Sequence, residues 1–164
     1  MNKELKGKEH GFTVLELVVI IVIIGVIGFT LTPNTNTQVP IRVAYEARRV
    51  LNDIRYTQAL SMASGQRYRW VLASSTSYQI TNEAGTAITL PNGSTTLTLS
   101  SGVSFGSLTN LPSSLVAFDS QGVPYTNSSI PGTALGSTAT IPVTSGGQTF
   151  SVSITPTTGY GAVS

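Results

Sequence analysis

One carboxylate, Glu16, stands just inside an apolar run that extends from Phe12 to Leu31, behind the border Gly11-Phe12-Thr13-Val14-Leu15-Glu16. An ionisable group in such a run costs roughly 2.5 to 3.5 kcal/mol at the centre of a bilayer, and less towards its edge. The chemistry it implies is charge pairing with something outside its own helix. A second reading places the side chain one turn in, reaching back to interfacial water, which is cheap for a long flexible acid.

Other chemistry is poorly supplied. The chain of 164 residues has no cysteine and a single histidine, His10, which precedes the apolar run. Beyond His10 a Ser-His-Asp or Cys-His nucleophile and a His-based zinc site are excluded by composition. The acids after the run are Glu46, Asp53, Glu83 and Asp119. They are scattered, and no short acidic loop offers the several oxygens that calcium needs. No phosphate-cradling glycine loop is present. The expectation is therefore a protein that is not an enzyme, with no catalytic residue, metal or cofactor.

The elements that must position Glu16 follow from hydropathy. The run from Phe12 to Leu31 is 20 residues long, and a helix rising ~1.5 Å per residue would extend ~30 Å, the thickness of a bilayer's hydrocarbon. A secretory signal has a shorter apolar core, and a buried strand is shorter still. Before the run, Lys3, Lys6 and Lys8 outnumber Glu4 and Glu9, so this flank is expected on the cytoplasmic side and the remainder across the membrane. Pro33 should bend or interrupt the helix. Asn34 to Val39 is polar and breaker-rich, and a second helix is expected from Pro40 to Ser64, with Ala44, Ala47, Leu51, Ile54 and Gln58 on one face and Gly65 as its stop.

Beyond Gly65 the pattern turns to β. Alternation at 67–72 places Tyr68, Trp70 and Leu72 on one face and Arg67 and Arg69 on the other, with the arginines towards solvent. Further strands are expected at 77–81, 87–90, 95–99, 115–118, 138–143 and 149–155. Asn82 to Gly85, Pro91-Asn92-Gly93, Gln121-Gly122 and Gly146-Gly147 read as turns. In Phe118 to Gly122, Asp119 is placed to bond the following backbone and Gly122 to take positive φ. The stretch from Tyr125 to Thr140 is expected to loop out.

Gly11, Phe12 and Glu16 together resemble the type IV prepilin signal: a short basic leader ending in Gly, then Phe, with Glu fifth after the cut and an apolar stretch behind it. The resemblance implies an α+β, pilin-like fold, in which a long N-terminal transmembrane and stalk helix carries a C-terminal antiparallel β-sheet domain on its second half. It divides the chain into a leader (1–11), a transmembrane helix (12–32), a stalk helix (33–64) and a sheet domain (65–164). It implies cleavage between Gly11 and Phe12 by a prepilin peptidase, N-methylation of Phe12, and pairing of Glu16 with the new amine of a neighbouring subunit during filament assembly. The partners implied are other pilins or pseudopilins, the peptidase and the inner-membrane assembly platform. The location implied is the bacterial inner membrane, single-pass with a periplasmic domain, and the assembled pilus or pseudopilus.

Leu51-Asn52-Asp53-Ile54-Arg55 with Ala59, a strand near Tyr68, Phe118-Asp119-Ser120-Gln121-Gly122 and the closing Thr158-Gly159 are similar to GspH/FimT-type minor pilins and pseudopilins. They are also similar to minor pilins of mannose-sensitive haemagglutinin pili. This implies a subunit that initiates or caps a type IV pilus or a type II secretion pseudopilus. The alternative is a tip binding module for DNA uptake or surface adhesion. Arg67 and Arg69, interleaved with Tyr68 and Trp70, are the candidate nucleic-acid contacts, supported by Arg48, Arg49 and Arg55. Against that alternative, six arginines from Phe12 onward face five acids, and the tail from Gly159 to Ser164 carries none of the arginines expected of DNA-binding relatives.

Overall fold

The computed structural model describes residues 12–30 and 38–164. The leader with Gly11, and the segment with Pro33, lie outside the described residues. The chain divides into two compact units, residues 1–35 and Asn36–Ser164.

In the first unit, α1 covers Val14–Thr30. Its many β-branched residues do not prevent helix formation. Thr13 caps the start, its carbonyl accepting from the Glu16 and Leu17 amides at 3.0 and 3.2 Å and its Oγ1 from the Glu16 amide at 3.3 Å. The helix expected over 12–32 thus begins two residues late, because Phe12 and Thr13 form its entry. Among the described residues, no helix is long and apolar enough to cross a membrane.

The second unit opens with α2, Gln38–Ser64. It starts before the expected Pro40, which fits in a first turn whose amides have no helical partner anyway. Its buried stripe is Val43, Glu46, Ala47, Val50, Leu51, Ile54, Thr57 and Ser61. Ala47, Leu51 and Ile54 lie where periodicity placed them, whereas Ala44 and Gln58 are half-buried and Val43, Glu46 and Val50 take the centre.

Nine strands follow: β1 (Tyr68–Ser74), β2 (Ser77–Thr81), β3 (Leu97–Thr98), β4 (Ser104–Phe105), β5 (Leu115–Phe118), β6 (Pro124–Tyr125), β7 (Ala139–Ser145), β8 (Gln148–Ile154) and β9 (Gly161–Val163). They form two antiparallel sheets, ordered β3-β2-β1-β5-β6 and β4-β7-β8-β9. The helix α2 packs on β1 and β5 of the first sheet and on β7, β8 and β9 of the second. Trp70, Tyr78 and Phe105 form an aromatic cluster in the core, with ring centroids 5.4 to 5.8 Å apart. Ile54, Ile80, Ile141 and Ile154 are buried with it.

The strand expected at 87–90 is only an isolated bridge, Thr81 to Ala87. The expected tail after the last strand contains β9. The stretch from Tyr125 to Thr140 does not loop out: Thr126 bonds Thr133, Leu135 bonds Pro124, and Leu135 is buried.

Candidate functional site

The start of α1 carries the residues with the clearest chemical implication. Phe12 and every residue from Thr13 to Ile27 are exposed, and the helix is apolar on every side. Glu16 occupies the first turn, the N-terminal position where backbone amides and the helix dipole favour a negative charge. Thr13 and Glu16 have the T-x-x-E spacing of a capping box, and the threonine half of that motif is formed. Among the described residues, no cation lies within salt-bridge distance of the Glu16 carboxylate. The arrangement supplies an acid at the mouth of an apolar helix, beside Phe12.

The acids of the second unit are held differently. Glu46 is 1% exposed, and it accepts from the Ser100 amide at 3.2 Å, from the Ser100 hydroxyl, and from Arg49 at 3.4 Å. Asp53 accepts from the Tyr78 hydroxyl at 2.5 Å. Burial raises the pKa of Asp53 above the ordinary 3.8, while the Tyr78 hydrogen bond and the charge of Arg49 pull it back. Burial, reinforced by Asp53, pushes the Tyr78 phenol upward, so it stays protonated as the donor. Asp119 accepts from the amides of Gln121 and Val123 at 2.9 Å and from Tyr125 at 3.1 Å, and Gly122 has φ +80°, as the turn reading expects.

Arg67 and Arg69 do not face solvent. Each is 8% exposed. Arg67 donates to the Ser129 carbonyl at 2.5 Å and lies 4.2 Å above the Tyr125 ring, a cation–π contact. Arg69 donates to the carbonyls of Glu83 and Ser128. Burial first, and the charge of Arg67 second, lower the Arg69 pKa, with Glu83 opposing. Alternation did separate the arginines from the Trp70 face, but residues 126–135 cover that second face as well. A phosphate could reach these guanidinium groups only by displacing their carbonyl partners. Arg49 and Arg55 are also engaged, with the carbonyls of Thr98 and Gly161 at 3.1 and 2.9 Å.

Three segments far apart in sequence meet at one residue. Gln58 on α2 donates to the carbonyls of Gly122 and Thr158, both at 2.9 Å. A Cβ on Gly159, whose φ is +63°, would lie 2.6 Å from the Gln58 amide nitrogen and 2.9 Å from the Gly122 carbonyl. Helix, Asp119 turn and closing turn are thus joined through one side chain. The sequence signal for this junction was the position of Gln58 on the inner face, which periodicity indicated without revealing its partners. Glu46 was missed, although a lone acid between Val43 and Val50 on an apolar stripe is itself a signal of internal pairing.

No protein-family model matches the chain, and no curated protein matches it. Two crystal forms of the type IV minor pilin FimU from Pseudomonas aeruginosa (strain PAO1) are similar in structure, both at 12% identity. One has a TM-score of 0.53 over 80% of this chain and 92% of FimU; the other has a TM-score of 0.48 over 72% and 89%. At that identity the likeness speaks for architecture, and together with the helix-led order of elements it gives this α+β chain the fold of a type IV minor pilin.

Proposed function

We propose that the chain is a minor pilin or pseudopilin subunit, assembled through its N-terminal helix into a type IV pilus or a type II secretion pseudopilus, where it initiates or caps the filament. The observation that carries the reading is the Glu16 carboxylate, with no cation in reach among the described residues, at the start of an exposed helix that is apolar all round. Such a helix requires apolar cover, from lipid before assembly and from other subunits after it. Prepilin peptidase cuts between Gly11 and Phe12 and methylates the Phe12 amine. That amine then meets the Glu16 carboxylate of a neighbouring subunit, where low hydration strengthens their attraction and each offsets the other's desolvation.

Before assembly, the apolar segment from Phe12 to Leu31 anchors the subunit in the inner membrane with the Asn36–Ser164 unit on the periplasmic side, beside the assembly platform. The role assigned is structural rather than enzymatic. Mass spectrometry of the protein from cells with active prepilin peptidase tests the processing step. The expected N-terminal peptide begins at methylated Phe12. Persistence of the intact 1–11 leader on all of the protein would refute the reading.

A further inference from the structure

A cavity of about 330 Å³ opens between α2 and the 90–97 segment, lined by Arg49, Asp53, Tyr56, Leu90, Asn92 and Leu97. This lies at the small end of the range for ligand pockets, the size for one ring rather than an extended polymer. We propose that it binds a neutral sugar ring, with Tyr56 as the stacking platform and Asp53, Asn92 and Arg49 as hydroxyl partners. The inference stands independently of whether the chain enters a filament.

The unused hydrogen-bonding capacity carries the argument. One Asp53 oxygen accepts from Tyr78, and the other has no partner among the described residues. Asn92 accepts from the Ser94 amide through its Oδ1 at 3.0 Å, and its amide group donates to no described residue. Arg49 donates through Nη1 to Glu46 and Thr98, and its Nη2 and Nε have no described acceptor. One open acceptor and two sets of open donors match hydroxyl groups, which both give and take hydrogen bonds.

Charge and shape narrow the ligand class. A single carboxylate and a single guanidinium line the cavity and oppose one another, so neither a polyanion nor a polycation is favoured. The Arg49 charge is already paired with Glu46, which disfavours an anionic ligand group. Tyr56 is 37% exposed, and Leu90 and Leu97 are buried beside the polar groups. An apolar ring face with polar edges is what a pyranose presents.

The full chain in dodecylphosphocholine micelles, which carry no sugar headgroup, should be titrated with methyl glycosides of glucose, galactose and mannose, and with β-1,4-linked N-acetylglucosamine trimer. Hexoside binding would point to an external glycan and trimer binding to cell-wall glycan. The expected result with at least one probe is saturable NMR shifts at the Asn92 side-chain amide, at Tyr56 and along 90–97. Tyr56→Ala and Asn92→Ala should each weaken that binding about tenfold, equivalent to about 1.4 kcal/mol, with unchanged thermal stability. Tyr45→Ala, an exposed tyrosine outside the cavity, should leave it intact. The proposal is overturned if no sugar shifts these signals at 50 mM or more, if binding survives both pocket variants, or if glycine binds at the same residues as tightly as the sugars do.

Discussion

Glu16 and Glu46 both lie on helices, yet the two units of the chain treat them in opposite ways. Glu46 sits on the buried stripe of α2 and has Ser100 and Arg49 as partners within its own domain. Glu16 sits on a helix with no buried side and has no cation among the described residues. A buried acid with internal partners does architectural work, since removing it orphans the groups that bond it. Glu16, with no cation among the described residues, supports the first turn of its helix. The difference teaches that the domain pairs its most buried acid internally, whereas among the described residues Glu16 has no such partner.

Substitutions can break or sharpen that contrast. The largest effect is expected for Glu46→Ala, which removes charge-assisted bonds to Ser100 and the pair with Arg49. It should cost about 2 to 3 kcal/mol of domain stability, read from denaturant unfolding. Gly159→Ala should cost about 2 kcal/mol, because the new Cβ meets the Gly122 carbonyl and the backbone stays at positive φ. Chymotrypsin should then cut after Phe118 and Tyr160 sooner than in the parent, because the Gln58 junction is disturbed.

Asp53→Asn should act through pH with a smaller effect. The folded-state pKa of Asp53 is raised, so the folded form holds its proton more tightly than the unfolded chain. This group therefore favours the fold at low pH, and its contribution is lost as pH rises from the ordinary 3.8 through the raised value. In thermal melts from pH 3 to 7, the variant should lack this decline while the Tyr78 hydrogen bond persists to the asparagine oxygen. An unchanged pH profile would assign the decline to other acids.

What the sequence made legible follows physical scale. The strands at 77–81 and 115–118 have the expected bounds, since each is a continuous β-forming run ended by turn residues. Strands β4, β6 and β9 were missed because two or three residues cannot show a period, and β6 and β9 contain Pro124 and Gly161. Arg67 and Arg69 were placed on the correct side of β1 but in the wrong environment. Alternation reports a strand's two faces without revealing that the 126–135 segment folds over the second one. Glu16 was legible because an acid in an apolar run is conspicuous without any tertiary contact, whereas the sugar pocket draws on α2 and a segment some forty residues away and had no local signature.

Incorporation of Glu16→Ala into sheared filaments, scored beside the melting temperature of the same protein, tests the central claim most directly. The account predicts a processed subunit that inserts in the membrane, whose domain stability stays within about 0.5 kcal/mol of the parent, and which is depleted from filaments. Filaments containing the variant at the parental level would contradict it.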